Sequence, residues 1–247
     1  VGESVESIAG SQKQIEPGAS EELAWEVSNT DGNPIGRVGV ELCSVDDKAD
    51  NKSTGTVYLD WLTWTGTPRA NLSRPRSEVV TQSRDRSYRP WWGRAWVNGC
   101  SSFSAKNREE SIRLIQNEGV GIVFQGSENW KNYSVTSTMR IHMGKAGGIA
   151  VRAGGMQRYY ALLISNDGFI RLVRHINERE VLSEVHFPGK LTDRHRMMIE
   201  VNETTIRGAV DNEYVLNATD NSLCGGAIAL IAEEGRVEYW DVDIAPV

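Results

Sequence analysis

A chain of 247 residues has room for one large β domain or two modest ones. Hydrophobic residues make up 39% and charged residues 24%, as in a globular chain that buries a core, and no apolar run approaches the roughly 18 residues a membrane helix needs. The net charge of −6 is spread over mixed signs without a long basic stripe, which argues against nucleic acid as the main partner.

The chain begins at Val1 with no initiator methionine and no charged-then-apolar leader, as expected of a processed form or a piece of a longer protein. Residues 23–27, 36–42 and 56–64 read as strands, too few to close a sandwich alone. Residues 1–68 are therefore expected to form a partial β-sandwich completed by the second unit, by another copy or by a missing N-terminal fragment. Residues 69–90 are rich in Arg, Ser and Pro and lack apolar periodicity, which predicts a linker or a strap along the surface.

From residue 91 onward the chain is a succession of short strand patterns: 92–97, 111–116, 121–125, 133–142, 148–153, 158–165, 169–176, 180–187, 196–201, 205–210, 213–216, 227–232 and 237–244. Turn chemistry separates them at Asn166-Asp-Gly, Asp211-Asn and Glu234-Gly. Polar and apolar residues alternate in 197–201 and 237–244, the mark of a sheet with one wet face. One short helix is predicted at 106–112. The fold class is all-β: residues 91–247 form a two-sheet antiparallel β-sandwich.

Three cysteines, Cys43, Cys100 and Cys224, fit no metal spacing. A Cys100–Cys224 bridge and three buried free thiols are both open. The glycosylation pattern occurs at Asn51, Asn71, Asn132, Asn202 and Asn217, more often than chance placement of Ser and Thr gives. The expectation is a secreted glycoprotein, with coincidence as the alternative.

A sugar site needs flat aromatic faces and planar hydrogen-bonding groups. Trp91 and Trp92 are adjacent on a strand, so one ring is expected outside the core. Arg152, Arg158, Tyr159 and Arg174 fall on strands expected to be neighbours and complete the candidate ligand set, whereas Trp96, Trp130 and Tyr160 read more simply as core. No serine sits in a nucleophile elbow, and the four histidines are scattered. A glycosidase built on Glu184, Glu200 and Asp193 is the enzymatic alternative.

The stretches Trp130-Lys-Asn-Tyr-Ser-Val, Gly147-Gly-Ile-Ala-Val-Arg, Arg158-Tyr-Tyr-Ala-Leu, Gly168-Phe-Ile-Arg-Leu and Tyr239-Trp-Asp-Val-Asp-Ile together resemble concanavalin A-like lectin/glucanase jelly rolls, in particular the laminin-G-like modules of secreted glycoside hydrolases. Leu23-Ala-Trp-Glu-Val, Val38-Gly-Val-Glu-Leu and Gly55-Thr-Val-Tyr-Leu-Asp-Trp resemble the C-terminal half of a galactose-binding-like jelly roll. The combined order is similar to the tail of multidomain ADP-ribosylglycohydrolase-type proteins, whose catalytic part is helical and holds metal through paired aspartates. Neither feature occurs in this sequence, so the resemblance implies a catalytic domain outside it. It also implies a structural calcium at an aspartate of the last strand, Asp60 in the first unit and Asp241 or Asp243 in the second. The Glu-x-Asp-x-x-Glu strand of glucanases with this fold is missing. The expectation is a non-catalytic, carbohydrate-binding region of a larger secreted hydrolase, with the glycosidase and a purely structural module as alternatives. Its expected partners are a glycan and a catalytic domain, not nucleic acid or membrane.

Overall fold

In the strand β5 (Tyr133–Met143), Tyr133, Val135, Ser137, Met139 and Ile141 are buried while the residues between them are not. That period of two fixes which face meets a second sheet, and the same alternation organises most of the chain. The computed structural model of the protein describes residues 7–27, 35, 37–43, 56–63, 66–74, 93, 95–104 and 111–247. All strand pairings among them are antiparallel.

Two strands belong to both layers of the sandwich. β13 (Ala227–Pro246) pairs along its first half with β6 (Ala146–Gly155) and along its second half with β5. β4 (Ile112–Gln125) follows β13 through both halves in opposite direction. The first sheet therefore runs β12 (Tyr214–Thr219), β11 (Thr205–Val210), β10 (His195–Asn202), β5, the end of β13 and the start of β4, with β3 (Ser102–Ser104) at its edge. The second runs β9 (Glu178–His186), β8 (Phe169–Ile176), β7 (Arg158–Ser165), β6, the start of β13 and the end of β4, with β2 (Val97–Gly99) beyond.

Between the sheets lies the main core, including Ile112, Leu114, Tyr133, Val135, Ile149, Tyr160, Leu162, Met197, Ile199, Ile228, Leu230 and Tyr239. Each such aliphatic side chain contributes roughly 1.5–3 kcal/mol by leaving water. A second cluster of Ile122, Ala150, Tyr159, Ala161, Leu163, Val173, Ala229 and Ile231 fills the outer face of the second sheet.

Two local expectations are corrected. Glu234-Gly is not a hairpin turn: residues 227–246 form one strand with a bulge at Glu233/Gly235. Glu234 has φ 41°, and a Cβ on Gly235 would come within 2.1 Å of the Met143 carbonyl oxygen, so only glycine lets the two strands touch there. The patterns at 111–116 and 121–125 likewise fuse into β4. By contrast, Asp211 and Asn212 both have positive φ and close the β11–β12 turn, and Gly168 at 83° closes β7–β8.

The N-terminal segments differ most. Among the described residues, 23–27, 37–42 and 56–63 join no ladder, and Val40, Tyr58 and Trp61 are exposed. Strand propensity is expressed only where a neighbour accepts the backbone hydrogen bonds, and none of the described residues does so for these segments. Of the next segment the first residues lie along the sandwich: β1 (Ala70–Asn71) pairs with the end of β13, and Leu72 and Arg74 are buried, while 75–90 lie outside the described residues. Most of the predicted helix at 106–112 lies outside the described residues, and Ile112 opens β4. No helix among the described residues is long and apolar enough to cross a membrane.

Candidate functional site

At one open end of the sandwich the loop 220–226 leaves β12 and enters β13 across the ends of β7, β8 and β9. Register places Tyr160 opposite Arg174, Arg158 opposite Ile176, and Arg174 opposite Glu180. Directly paired residues project to the same side, so these side chains converge on the loop. The Tyr160 hydroxyl donates to Asp220 Oδ1 and accepts the Leu223 N–H at 3.0 Å. Arg174 Nη1 donates to Asp220 Oδ2 at 2.5 Å and to Ser222 Oγ at 2.8 Å, and its Nη2 meets Glu180. The Ser222 N–H closes the loop onto Asp220 Oδ1 at 2.8 Å.

Partial burial works against the Asp220 carboxylate, but the bonds from Tyr160 and Ser222 and the charge of Arg174 outweigh it and hold the acid below its usual range. Burial and the bond to Asp220 push the Tyr160 phenol up to about 12. The array is a fixed, planar set of donors and acceptors. It borders an open cleft of about 520 Å³ lined by Arg174, Ile176, Glu178, Arg179, Glu180 and Ser222. Arg158 is exposed on the strand position paired with Ile176.

Of the predicted ligand set, Arg174 lines this cleft, and Arg158 is paired with Ile176 of its lining. Arg152 and Tyr159 do not reach it. Arg152 is 2% exposed and spends its guanidinium on backbone carbonyls of Lys131, Leu223 and Glu203 at 3.1, 2.8 and 2.7 Å. It supports the loop from below. Tyr159 points to the opposite face, fully buried, with its hydroxyl 2.8 Å from His175 Nδ1. Burial is the first cause that pushes the Tyr159 phenol up and the His175 imidazole down. Trp91 and Trp92 lie outside the described residues. Trp96 and Tyr160 are core, and Trp130 packs edge-on against Tyr133 at 5.9 Å. Asp220 and Ser222 were not foreseen, because a polar loop gives no periodic signal.

The remaining expected sites separate. Asp60 is exposed outside the sheets and Asp241 is exposed at a φ of 52°. Asp243 accepts the Asn71 side-chain N–H at 2.7 Å, with its carboxyl raised mainly by burial. Among the described residues no group of three or more His, Cys, Asp or Glu converges.

Cys100 and Cys224 are free. Cys100 packs at Gly121, whose partner is Ala232, whereas Cys224 precedes Ala227 at the other end of that strand segment. Five strand residues span roughly 17 Å, beyond the reach of a disulfide. Cys43 is also free and exposed.

The alternative acids are no closer. Glu184 sits opposite Arg171 on the outer face of the second sheet, and Glu200 lies opposite Arg207 and Ser134 on the outer face of the first. The sandwich stands between them, and Asp193 is exposed in the loop before β10. These residues cannot face one another across a glycosidic bond.

Among the glycosylation patterns, Asn202 and Asn217 are exposed, Asn71 holds Asp243, and Asn132 is half-buried and accepts the Glu203 N–H at 2.9 Å. Asn51 lies outside the described residues.

No protein-family model matches the sequence, and the search of curated proteins finds no match. Among solved structures, the chain is similar to the carbohydrate-binding module CBM66 from Bacillus subtilis, with a TM-score of 0.54 and 13% identity over 61% of this chain and 94% of that one. It is also similar to the GH43 protein BlXynB from Bacillus licheniformis, with a TM-score of 0.48 and 12% identity over 66% of this chain and 38% of that one. A Bacillus subtilis protein of unknown function with a galectin-like fold gives 0.47 and 14% identity over 66% and 92%. The likeness to the first is one of fold: an antiparallel β-sandwich shared at low identity.

Proposed function

We infer that the sandwich is a non-catalytic carbohydrate-binding module, and that the cleft beside the loop 220–226 receives the sugar. The observation that carries this reading is the Arg174–Asp220–Ser222–Glu180 array. Planar charged side chains on a rigid rim can exchange part of their mutual pairing for adjacent sugar hydroxyls. The fold shared with a protein named as a carbohydrate-binding module supports it. The scattered acids favour binding over hydrolysis. Secretion, and attachment to a larger hydrolase, belong to the same proposal.

Such a site, open and without a described exposed ring in the cleft, has an expected dissociation constant of roughly 0.1–1 mM. The test is a glycan array followed by titration calorimetry of wild type and Arg174→Ala on the best neutral glycan. Loss of measurable binding in the variant is the expected result. Binding that survives Arg174→Ala moves the sugar elsewhere, binding to no glycan leaves the array as a loop clamp, and hydrolysis restores the enzyme.

A further inference from the structure

The outer face of the first sheet reverses the sign of the chain's net charge. Trp240 lies there on β13, with the guanidinium carbon of Arg194 4.2 Å from its ring centroid and that of Arg140 at 5.9 Å. Thr138 links Trp240 to Arg196 across β5 and β10. Two residues earlier on β13, Glu238 stands between Arg113 of β4 and Arg140 of β5. Its carboxylate is buried and already used: Oε1 accepts Arg113 Nε at 2.7 Å and Oε2 meets His142 Nε2 at 2.7 Å, with Arg236 at 3.9 Å.

Arg113, Arg140 and Arg236, with His142, thus gather around Glu238, while Arg194 and Arg196 lie beside Trp240 and Thr138. Asp241 and Asp243 bound the patch at one end, and Glu200 lies farther along β10 opposite Arg207. Among the described residues Arg140 and Arg194 form no ion pair, and the Nε groups of Arg140 and Arg236 are buried donors without an acceptor. Arg194 and Arg196 are exposed, and stacking on Trp240 fixes Arg194 in advance, which lowers the entropy cost of presenting its fork.

We propose that this face binds a polysaccharide segment carrying carboxylate or sulfate groups, whose anions engage the guanidinium forks of Arg140, Arg194 and Arg196. The patch is short and ends at Asp241 and Asp243. The chain's net charge of −6 repels a long, densely charged duplex beyond it, so spaced charges on a sugar chain suit it better than nucleic acid. The site is separate from the open-end cleft and has its own variants.

Affinity electrophoresis and calorimetry at low salt are run with polygalacturonate, dextran sulfate, plain dextran and a short DNA duplex. Wild type is compared with Arg194→Ala/Arg196→Ala and with Arg174→Ala. The expected result is binding to at least one charged polysaccharide, weaker in salt, about tenfold weaker in the double variant and unchanged in Arg174→Ala. Which charged polymer binds identifies the anionic group. The proposal is overturned by plain dextran binding as tightly, by DNA binding equally well through the same two arginines, or by loss of binding in Arg174→Ala alone. It is equally overturned if no charged polymer binds. Failure of the cleft reading shows separately, as neutral-glycan binding that ignores Arg174→Ala.

Discussion

The guanidinium of Arg152 donates from Nη1 to the carbonyl oxygen of Leu223 at 2.8 Å, so a buried cation on β6 holds the loop that carries Asp220 and Ser222. The Arg152 backbone N–H donates to the Tyr133 hydroxyl at 2.7 Å, and that hydroxyl donates to the Gly226 carbonyl oxygen at 2.8 Å. Gly226 itself, at φ 149°, leaves no room for a Cβ, which would lie 2.4 Å from the Arg152 carbonyl carbon. The middle and the end of the loop therefore converge on one residue.

Arg152→Ala strips three carbonyls of their donor and opens a cavity. The expected loss is about 3 kcal/mol, lowering Tm by roughly 6–12 °C in a domain of this size. Sugar affinity at the cleft falls with it, because the loop loosens. A thermal melt within two degrees of wild type would show that the loop does not depend on Arg152.

The free thiols make a second test. Cys43 and Cys224 are exposed, whereas burial is the main cause that pushes the Cys100 thiol above its ordinary range. Ellman's reagent applied to the folded, unreduced protein should count two fast thiols and a slow third. Two thiols missing from the count, with the matching two-proton mass loss, would restore a disulfide.

Much of the sandwich was legible because alternation and turn chemistry report directly on a half-buried sheet: β5, β7, β8, β10 and β11 lie where the pattern put them. Pattern fails where a strand serves two sheets. The β13 bulge at Glu234-Gly235 carries the residues of a turn, and only the close approach of Met143 distinguishes the two. It fails again over 23–27, 37–42 and 56–63, where the apolar alternation is present and, among the described residues, no ladder forms. At the site, Arg174 and Arg158 were readable as polar residues on adjacent strands, but the sequence did not reveal that Arg152 faces inward. A bulge between Val151 and Gly155, with Arg152 at φ 48°, turns that side chain from its expected direction.

Glycan attachment has a structural order. Asn202 and Asn217 are exposed, while Asn71 uses its side-chain amide on Asp243 and Asn132 is half-buried against Glu203. On secretion from a eukaryotic host, Asn202 and Asn217 are expected to carry sugar and Asn71 and Asn132 to stay bare. Peptide mass spectrometry before and after deglycosylation reads this directly. A bare Asn202 and Asn217 from such a host would contradict the proposal that the protein is secreted.

Glu238 makes the stability of the first sheet depend on acid. Burial alone raises a carboxyl group, yet the hydrogen bonds from His142 and Arg113 reverse that and hold Glu238 below the ordinary glutamate value of 4.5. A group whose folded value is depressed contributes its full stabilisation above the unfolded value and loses it as pH falls through the folded one. The sensitive window therefore opens below about pH 4.5. Glu238→Gln keeps the shape but removes the charge that faces Arg113, leaving that cation unpaired at a largely desolvated position. At pH 7 the variant should be less stable by about 2 kcal/mol in urea unfolding. As pH falls through the window, wild type loses the protonation-dependent part and the difference between the two proteins shrinks. A gap that stays constant from pH 7 to pH 3 would mean that Glu238 acts through packing alone and that its charge is not linked to folding.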